Sequence, residues 1–395
     1  MRLLDKYLLY SSVFAIFTED FSFHYIIDIK LFYLILIVNF LILSIHKKMV
    51  VHKNLIILLG FFFVHGTVLF LWKQNPIKSL IAQLLGISLT SIYYYNFLKY
   101  YTTAKAFKVY AKMAFYIALL AIPMFYLGIN SFSKYRLNGI LSEPAHYAAI
   151  MLPATYYFLK QKEYLKLLIL IITIFLSRSS IGIVGLVLIL IIPLVKLKFF
   201  IKYAWVVGVL LLFSGLYLYQ QWDKPITENT GNQLVRRLKE TGKSFNAIST
   251  GKFAPYINLS SYAFLSNTFI TKNIVANNLL GTGLGSYQYE YDKYYPKMRP
   301  PGYLLTLKQS KINRTDANSL FLRMFSDFGI FALLLVAYFV FRSFQLFSNE
   351  QKIIGQGVFF YLIVKLIREG HYFPPEFYFF LLIFLKDFDE DITHS

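Results

Sequence analysis

A succession of apolar runs, each close to the length needed to cross a bilayer, constrains this chain more than any other feature. They fall near residues 7–23, 29–46, 53–72, 77–98, 107–128, 144–159, 164–177, 179–195, 200–220, 317–343, 352–367 and 373–386. A spanning helix needs about 20 mostly apolar residues. Within hydrocarbon every backbone polar group must be bonded internally, so runs of this length are read as helices. Several runs are short or interrupted by Pro or Gly, which leaves eleven spans nearly as well supported as twelve. Only 15% of the residues are charged, 57% are apolar and the mean hydropathy is +0.53, values that exclude a soluble enzyme. The 40 Phe and 32 Tyr likewise exclude a solvated, disordered chain.

The expected fold is therefore all-α: a polytopic membrane protein of about 11–12 transmembrane helices with one large extracytoplasmic loop. Residues 1–220 form the N-terminal helices of the membrane domain, 221–317 the large loop, and 318–395 the C-terminal helices and a cytoplasmic tail. Arg2 and Lys6 precede the first apolar run as in a secretory signal, but no small-residue cleavage site follows, so the run is read as a retained span. No repeat of 20–50 residues and no Gly/Ser linker divides the chain.

Orientation follows from the basic residues, because short cytoplasmic loops carry the excess of Lys and Arg. One alternating set of connections holds Arg2, Lys6, Lys47, Lys48, Lys53, Lys99, Lys105, Lys108, Lys112, Lys160, Lys162, Lys166, Lys196, Lys198, Lys202, Arg342, Lys352 and Lys386. The other short set holds Lys30, Lys73, Lys78, Lys134, Arg136, Arg178 and Arg368. Both termini and the acidic tail Asp387–Asp391 are accordingly expected in the cytoplasm. The loop 221–317 then lies outside, with 13 basic residues against six acids. An external basic surface beside a bilayer suits a lipid diphosphate; attraction to anionic lipid head groups explains the same charge. Within the loop, 234–243 reads as a short amphipathic helix and 262–280 as another lying on the membrane surface.

Zero cysteines remove disulfides, thiolate catalysis and Cys-ligated metals. The seven histidines show no metal-binding spacing, so no metal site is expected. No cofactor and no nucleic-acid partner is expected either.

Ionisable residues gather in a few places. The stretch RLNGILSEPAHYAA, residues 136–149, runs from an external loop into the sixth span and brings Arg136, Glu143 and His146 to one membrane face. Glu143-Pro144 is also a helix-start signal, with Pro tolerated and a carboxylate favoured there. Charge at bilayer depth is costly, which favours a function for the group. Arg178 lies in a Ser177-Arg178-Ser179 turn between two apolar runs. KLIREGHYFPPEF, 365–377, places Arg368, Glu369 and His371 in the last external turn, where a structural turn and a catalytic role explain them equally. Arg323 and Asp327, four apart on one helix face, read as a neutralising pair or as support for the site. Asp316 reads as a helix cap, with a catalytic base as the sharper alternative. Gly281-x-Gly283-x-Gly285 lacks the strand and spacing of a dinucleotide fingerprint, though the amides of such a turn could hold a phosphate. The tyrosines at 287, 289, 291, 294 and 295 read as an interfacial belt or as faces for sugar rings.

These stretches resemble the O-antigen polymerase and ligase group of integral membrane glycosyltransferases. The Arg, Gly and Ser-Glu-Pro pattern of 136–149 comes first. The Ser-Arg-Ser turn, the large loop, NNLLGTGLGSY at 277–287 and DANSLFLRMFSDFGI at 316–330 follow in the order seen in that group, and the resemblance covers roughly residues 110–345. Ligases of the group carry His before the Asn, where this chain has Ala317-Asn318, and the Glu-Pro pattern is more typical of polymerases.

The resemblance implies a metal-independent polymerase of the bacterial inner membrane, with its active site on the periplasmic face. It would transfer a growing glycan of O-antigen or capsule type from undecaprenyl diphosphate to a lipid-linked repeat unit. Its partners would be the undecaprenyl-diphosphate-linked oligosaccharide, membrane lipid and a chain-length regulator protein. Such a reaction needs a base at the acceptor hydroxyl and cations for the departing diphosphate. Glu143, Asp316, His146 and His371 are the candidate catalytic residues, Glu143 first among them. Arg136, Arg178, Arg236, Arg237, Arg314, Asn318 and Arg368 are the candidates for holding diphosphate and substrate, since the guanidinium fork binds phosphate oxygens bidentately. Arg178 is the best placed of them; an arginine merely reaching the interface at a tight turn is the plainer reading. A ligase delivering polymer to lipid A core is the nearest alternative. A flippase is the alternative from another class, although transporters usually keep polar sites at the midplane on broken helices.

Overall fold

The structure, a computed structural model, describes residues 3–24, 28–130, 135–194, 242 and 244–389. Arg236, Arg237, the run 200–220 and all but one residue of the helix expected over 234–243 lie outside the described residues.

The described chain is helical almost throughout. Its first half contains α1 (Leu3–Ala15), α2 (Leu31–His46), α3 (Lys53–Lys73), α4 (Lys78–Tyr100), α5 (Thr103–Tyr126), α6 (Pro144–Lys160), α7 (Tyr164–Leu176) and α8 (Ser180–Ile191). Its second half contains α9 (Ala247–Thr250), α10 (Leu259–Asn277), α11 (Tyr287–Tyr294), α12 (Gly302–Thr306), α13 (Leu320–Phe328), α14 (Ile330–Ser348), α15 (Ile353–Ile367) and α16 (Phe377–Asp389). Among the described residues, sheet is confined to an antiparallel pair, β1 (Ser22–His24) and β2 (Asp28–Lys30). Among the described residues three helices, α3, α5 and α14, are long and apolar enough to cross a membrane, and α2, α7, α8, α15 and α16 are apolar but shorter. This is the helix content of a membrane-associated protein.

Local chemistry sets the helix ends. Pro144, with φ already suited to a first turn, opens α6 after the extended Glu143. Asn258 caps α10 by accepting from the Ser261 amide at 2.9 Å. One expectation needs correction: residues 317–343 are not a single helix. Gly329 adopts φ 55°, ψ −128° and separates α13 from α14. A Cβ there would stand 2.0 Å from the Leu279 carbonyl, so the break is fixed by a close backbone approach that only glycine allows.

The chain divides into two compact units. Unit 1 comprises Met1–His65, Leu80–Ile189 and Leu335–Ser395, and unit 2 comprises Gly66–Ser79 and Leu190–Leu334.

In unit 1, α6 and α15 form the centre. Gly357 of α15 leaves room for the Pro153 carbonyl of α6, the Tyr156 hydroxyl donates to Gln356 Oε1 at 2.6 Å, and the Tyr156 and Phe360 rings lie 5.1 Å apart. On the other side of α6, Gly182 and Gly185 let α8 approach Ala148 and Leu152, an approach that small residues permit between membrane helices. Aromatic rings fill the remainder, with Tyr361 4.6 Å from Phe380 and Tyr110 5.0 Å from Phe380. Burying each such side chain contributes about 1.5–3 kcal/mol where water is the reference.

The turns of unit 1 collect at two ends of its bundle. At one end Asn96 donates to the Val50 carbonyl at 2.9 Å, Lys386 to Leu98 at 2.8 Å, and Gln356 to Asn349 at 2.8 Å. The opposite end gathers the α1–α2 connection, residues 135–143, the turn after α7 and the connection between α15 and α16.

In unit 2, α10 is the spine. It was expected to lie on the membrane surface, but Tyr262, Leu265, Phe269, Ile270 and Ile274 are buried within the unit. Tyr287 and Tyr291 of α11 pack against this helix, and the Tyr287 hydroxyl donates to Asn267 Oδ1 at 2.7 Å. These two tyrosines are therefore core residues, not an interfacial belt.

Candidate functional site

The densest group of ionisable side chains sits at the second end of unit 1, where four connections meet. Glu19 comes from the α1–α2 connection, Ser142 and His146 from the entrance to α6, Tyr361 and Lys365 from the last turns of α15, Glu369 from the following turn, and Glu376 from the start of α16. Glu19, Lys365, Glu369 and Glu376 are all buried. His146 Nδ1 lies 2.5 Å from Glu19 Oε2 and its Nε2 lies 3.1 Å from Glu369 Oε1. Ser142 donates to Glu19 Oε2 at 2.9 Å. Lys365 reaches the other oxygen of Glu369 one helical turn on.

The turn itself carries strain. Glu369 has φ 75°, a conformation that side chains with a Cβ avoid, and its position is over-determined by the bonds from Lys365 and His146. Burial opposes charge on Glu369, but His146 and Lys365 outweigh it and hold the carboxyl below its usual value.

Three carboxyls, Glu19, Glu369 and Glu376, face His146 and Lys365, and Lys30 adds its charge near Glu19. At Glu376, Tyr361 donates to Oε1 at 2.7 Å, while Oε2 is buried and has no hydrogen-bond partner among the described residues. A buried acceptor left open costs about 1–3 kcal/mol, more if charged. A donor from a ligand, such as a hydroxyl, would satisfy it. Among the described residues no group of three or more His, Asp or Glu could hold a metal ion. The two His146 nitrogens face different carboxylates, so His146, Glu19 and Glu369 do not converge on one point.

Two predicted arginines belong to the same end of unit 1. Arg136 Nε donates to the Ser177 carbonyl at 3.3 Å, and the Leu137 amide bonds the Leu176 carbonyl at 3.1 Å. The loop carrying Arg136 is thereby laced to the Ser177-Arg178-Ser179 turn. Arg178 takes φ 47° and its side chain is exposed, so it is not the buried, uncompensated charge that its place between apolar runs suggested. Both flanking serines are buried; Ser177 bonds the Ile174 carbonyl at 2.6 Å. Glu143 is exposed at the N-cap of α6 and makes no side-chain cap bond. Arg368 is half-buried beside Glu369, and His371 is exposed two residues further on.

The remaining predicted residues belong to unit 2. Arg314 is taken up by Asp292, with Nε 2.9 Å from each carboxylate oxygen and Nη2 closing the bidentate pair, and Lys311 adds a contact at 3.0 Å. Burial works against charge on Asp292, yet these bonds hold its carboxyl below the ordinary value. Asp316 is buried and accepts from Asn313 at 3.2 Å. It is not the helix cap: Ser319 is, accepting from the Leu322 amide at 3.3 Å. Ala317 and Asn318 both take φ 59°, and the Asn318 side-chain amide is buried with no partner for its Nδ2 among the described residues.

The glycine segment has its amides engaged. Gly283 N bonds the Asp327 carbonyl at 2.9 Å, Thr282 N bonds Ser326 at 3.0 Å, and Gly285 N bonds Asp327 Oδ2 at 3.0 Å. A Cβ on Gly281 would stand 2.5 Å from the Asp327 carbonyl. Residues 278–286 thus form a wedge against the end of α13, and these amides are not offered to a phosphate. Asp327 also lies 3.9 Å from Arg323 Nε in the expected pair.

No protein-family model and no curated protein matches the chain.

Of the buried group, His146 was read from the sequence as a candidate and Glu369 as a turn residue. Glu19 falls inside a stretch counted as apolar, and Lys365 and Glu376 stand at the two ends of the 365–377 stretch, of which only Arg368, Glu369 and His371 were singled out. The available signal was a charge at the end of an apolar run, which is costly unless paired and so points to a site.

Proposed function

We propose that the protein is a multi-pass membrane glycosyltransferase that polymerises glycan repeat units carried on a lipid diphosphate. The observation that carries this reading is one end of unit 1. There a buried group leaves one carboxylate oxygen, Oε2 of Glu376, without a hydrogen-bond partner among the described residues, and the same end carries the Arg136 loop laced to the Arg178 turn. A base and phosphate-binding cations are the two requirements of such a transfer.

In the proposed step, a hydroxyl of the acceptor sugar attacks the anomeric carbon of the donor. The new carbon–oxygen bond forms as the bond to the lipid diphosphate breaks. Glu376 takes the hydroxyl proton, and Arg136 and Arg178 hold the diphosphate that leaves with the electron pair. Glu143 at the mouth of α6 orients the acceptor. The lysine-rich connections of unit 1 lie at the opposite end, which supports placing this end outside the cell and both termini inside. The full count of about 11–12 spans and the external loop 221–317 belong to the same proposal, as does location in a bacterial inner membrane.

A second reading has its own observation. Buried Glu, His and Lys side chains within a helical bundle also form proton relays in transporters, so a proton-coupled flippase for the same lipid is the competitor.

Deleting the gene in its native host and separating the surface glycolipids on a gel distinguishes them. A single repeat unit on the core with no ladder supports a polymerase. Bare core with long polymer retained on the carrier lipid means a ligase, and lipid-linked single units trapped inside mean a flippase.

A further inference from the structure

The end of unit 1 opposite the buried carboxyl group carries a feature that the proposed reaction does not use. A cleft of about 920 Å³ opens between α1 and α5, lined by Lys6 and Tyr7 and Tyr10 on α1 and by Lys105, Lys108 and Lys112 on α5. All four lysines are exposed. The spacing of 105, 108 and 112 places them on one helix face, and at 1.5 Å per residue the three span about 10 Å along the axis. Lys112 therefore stands about 14 Å from the start of α5, beyond the depth of an ordinary interfacial loop. The neighbouring acid, Asp5, accepts from the Tyr101 hydroxyl at 3.5 Å and does not line the cleft.

An ammonium on the flank of an apolar helix, facing outward, is costly in lipid unless it reaches the interface or meets an anion. Here the cations rise as a ladder beside two half-exposed tyrosine rings, so charge and apolar wall are presented together. A phosphodiester between two acyl chains has that same amphipathic layout. Lysine suits it as a strongly hydrated point charge with no demand for a bidentate partner. Lys6, Lys108 and Lys112 together exceed the charge of one phosphate, which favours a lipid with two.

We propose that the cleft between α1 and α5 is a binding site for an anionic phospholipid, with the two-phosphate cardiolipin class preferred over phosphatidylglycerol. The inference rests on the membrane reading of the chain and is independent of the glycosyl-transfer reading.

The test uses the full-length protein, purified and stripped of lipid in detergent, with thermal unfolding and native mass spectrometry as readouts. Cardiolipin is expected to raise the unfolding temperature and bind one molecule per chain. Phosphatidylglycerol should do so more weakly, and phosphatidylcholine and inorganic phosphate should have no effect. The triple variant Lys105→Gln, Lys108→Gln, Lys112→Gln is expected to lose affinity for cardiolipin by about tenfold or more, since each basic residue at a charged lipid surface contributes measurably. A control pair, Lys47→Gln with Lys48→Gln, removes charge from another connection at the same end and should leave binding unchanged. Equal cardiolipin affinity in the triple variant and the wild type overturns the proposal, as does equal loss in the control pair. An equal response to inorganic phosphate would also overturn it, by showing a site for free anions.

Discussion

His146 Nε2 lies 3.1 Å from Glu369 Oε1, tying the first turn of α6 to the strained turn between α15 and α16. With Nδ1 of the same ring against Glu19, one imidazole fastens three connections at one end of unit 1. Removing it leaves two buried carboxylates facing an empty space. We expect His146→Ala to lower stability by about 3–5 kcal/mol, the cost of breaking a buried ion pair from one side. Thermal unfolding in detergent measures this, and adding Glu19→Gln should recover part of the loss. Simple additivity of the two substitutions would contradict the coupling.

Glu376→Gln tests the assignment of the base. The amide keeps the acceptor that Tyr361 needs, so the variant should accumulate and unfold as the wild type does. Polymer formation should fall by about 10²–10⁴-fold, the range for loss of a general base. Wild-type polymer from that variant would exclude Glu376 from proton transfer.

Arg178 stands exposed on a turn fixed by two buried serines, so its substitution should not disturb the fold. We expect Arg178→Ala to abolish polymer while the protein still inserts normally. Arg178→Lys should be impaired, because a point charge cannot reproduce the planar fork. Equal activity of Lys and Arg would reduce the requirement to charge alone.

Several apolar runs match helices almost to the residue, whereas the run at 7–23 is displaced from its helix, Leu3–Ala15, and ends in a short strand. The run at 53–72 is the helix Lys53–Lys73, and 144–159 is Pro144–Lys160. The break at Gly329 was not legible, because it depends on the carbonyl of Leu279 across the wedge and on nothing local. The site was legible only in part. His146 and the Arg136 stretch stand in polar sequence and draw attention. Lys365 and Glu376 read as single charges at the ends of apolar runs, and only the folded chain shows that α6 and α15 pack side by side and bring them to Glu19. Arg314 shows the opposite failure: its sequence context suggested a phosphate ligand, and Asp292, far enough away on α11 to escape notice, occupies its fork.

The glycine wedge of unit 2 gives a prediction about stability alone. Gly281→Ala should destabilise the protein by about 1–3 kcal/mol, since φ 85° excludes a Cβ and the Asp327 carbonyl stands in its place. Gly302→Ala, where nothing lies within 4 Å, serves as the comparison and should be nearly neutral. Equal unfolding temperatures for the two variants would show that the wedge is not tightly held.

Asp292 supplies a pH dependence. Its carboxyl is held below the ordinary value in the folded protein, so the Asp292–Arg314 pair adds stability that is present above the unfolded carboxylate range, about 4, and is lost as pH falls through the folded value. Protease susceptibility of the region around α11 should therefore rise on acidification below about pH 4, and Asp292→Asn should remove that rise. An unchanged pH profile in Asp292→Asn would assign the acid sensitivity to other carboxylates.

The most direct test of glycosyl transfer uses membranes from a host lacking the gene, in which the lipid-linked repeat units accumulate. Purified wild-type protein is added, and chain growth and release of the carrier diphosphate are followed together. The account predicts oligomers of increasing length with one diphosphate released per bond, no added nucleotide sugar, and neither product with Glu376→Gln. Movement of the repeat units across the membrane without any new glycosidic bond would contradict it.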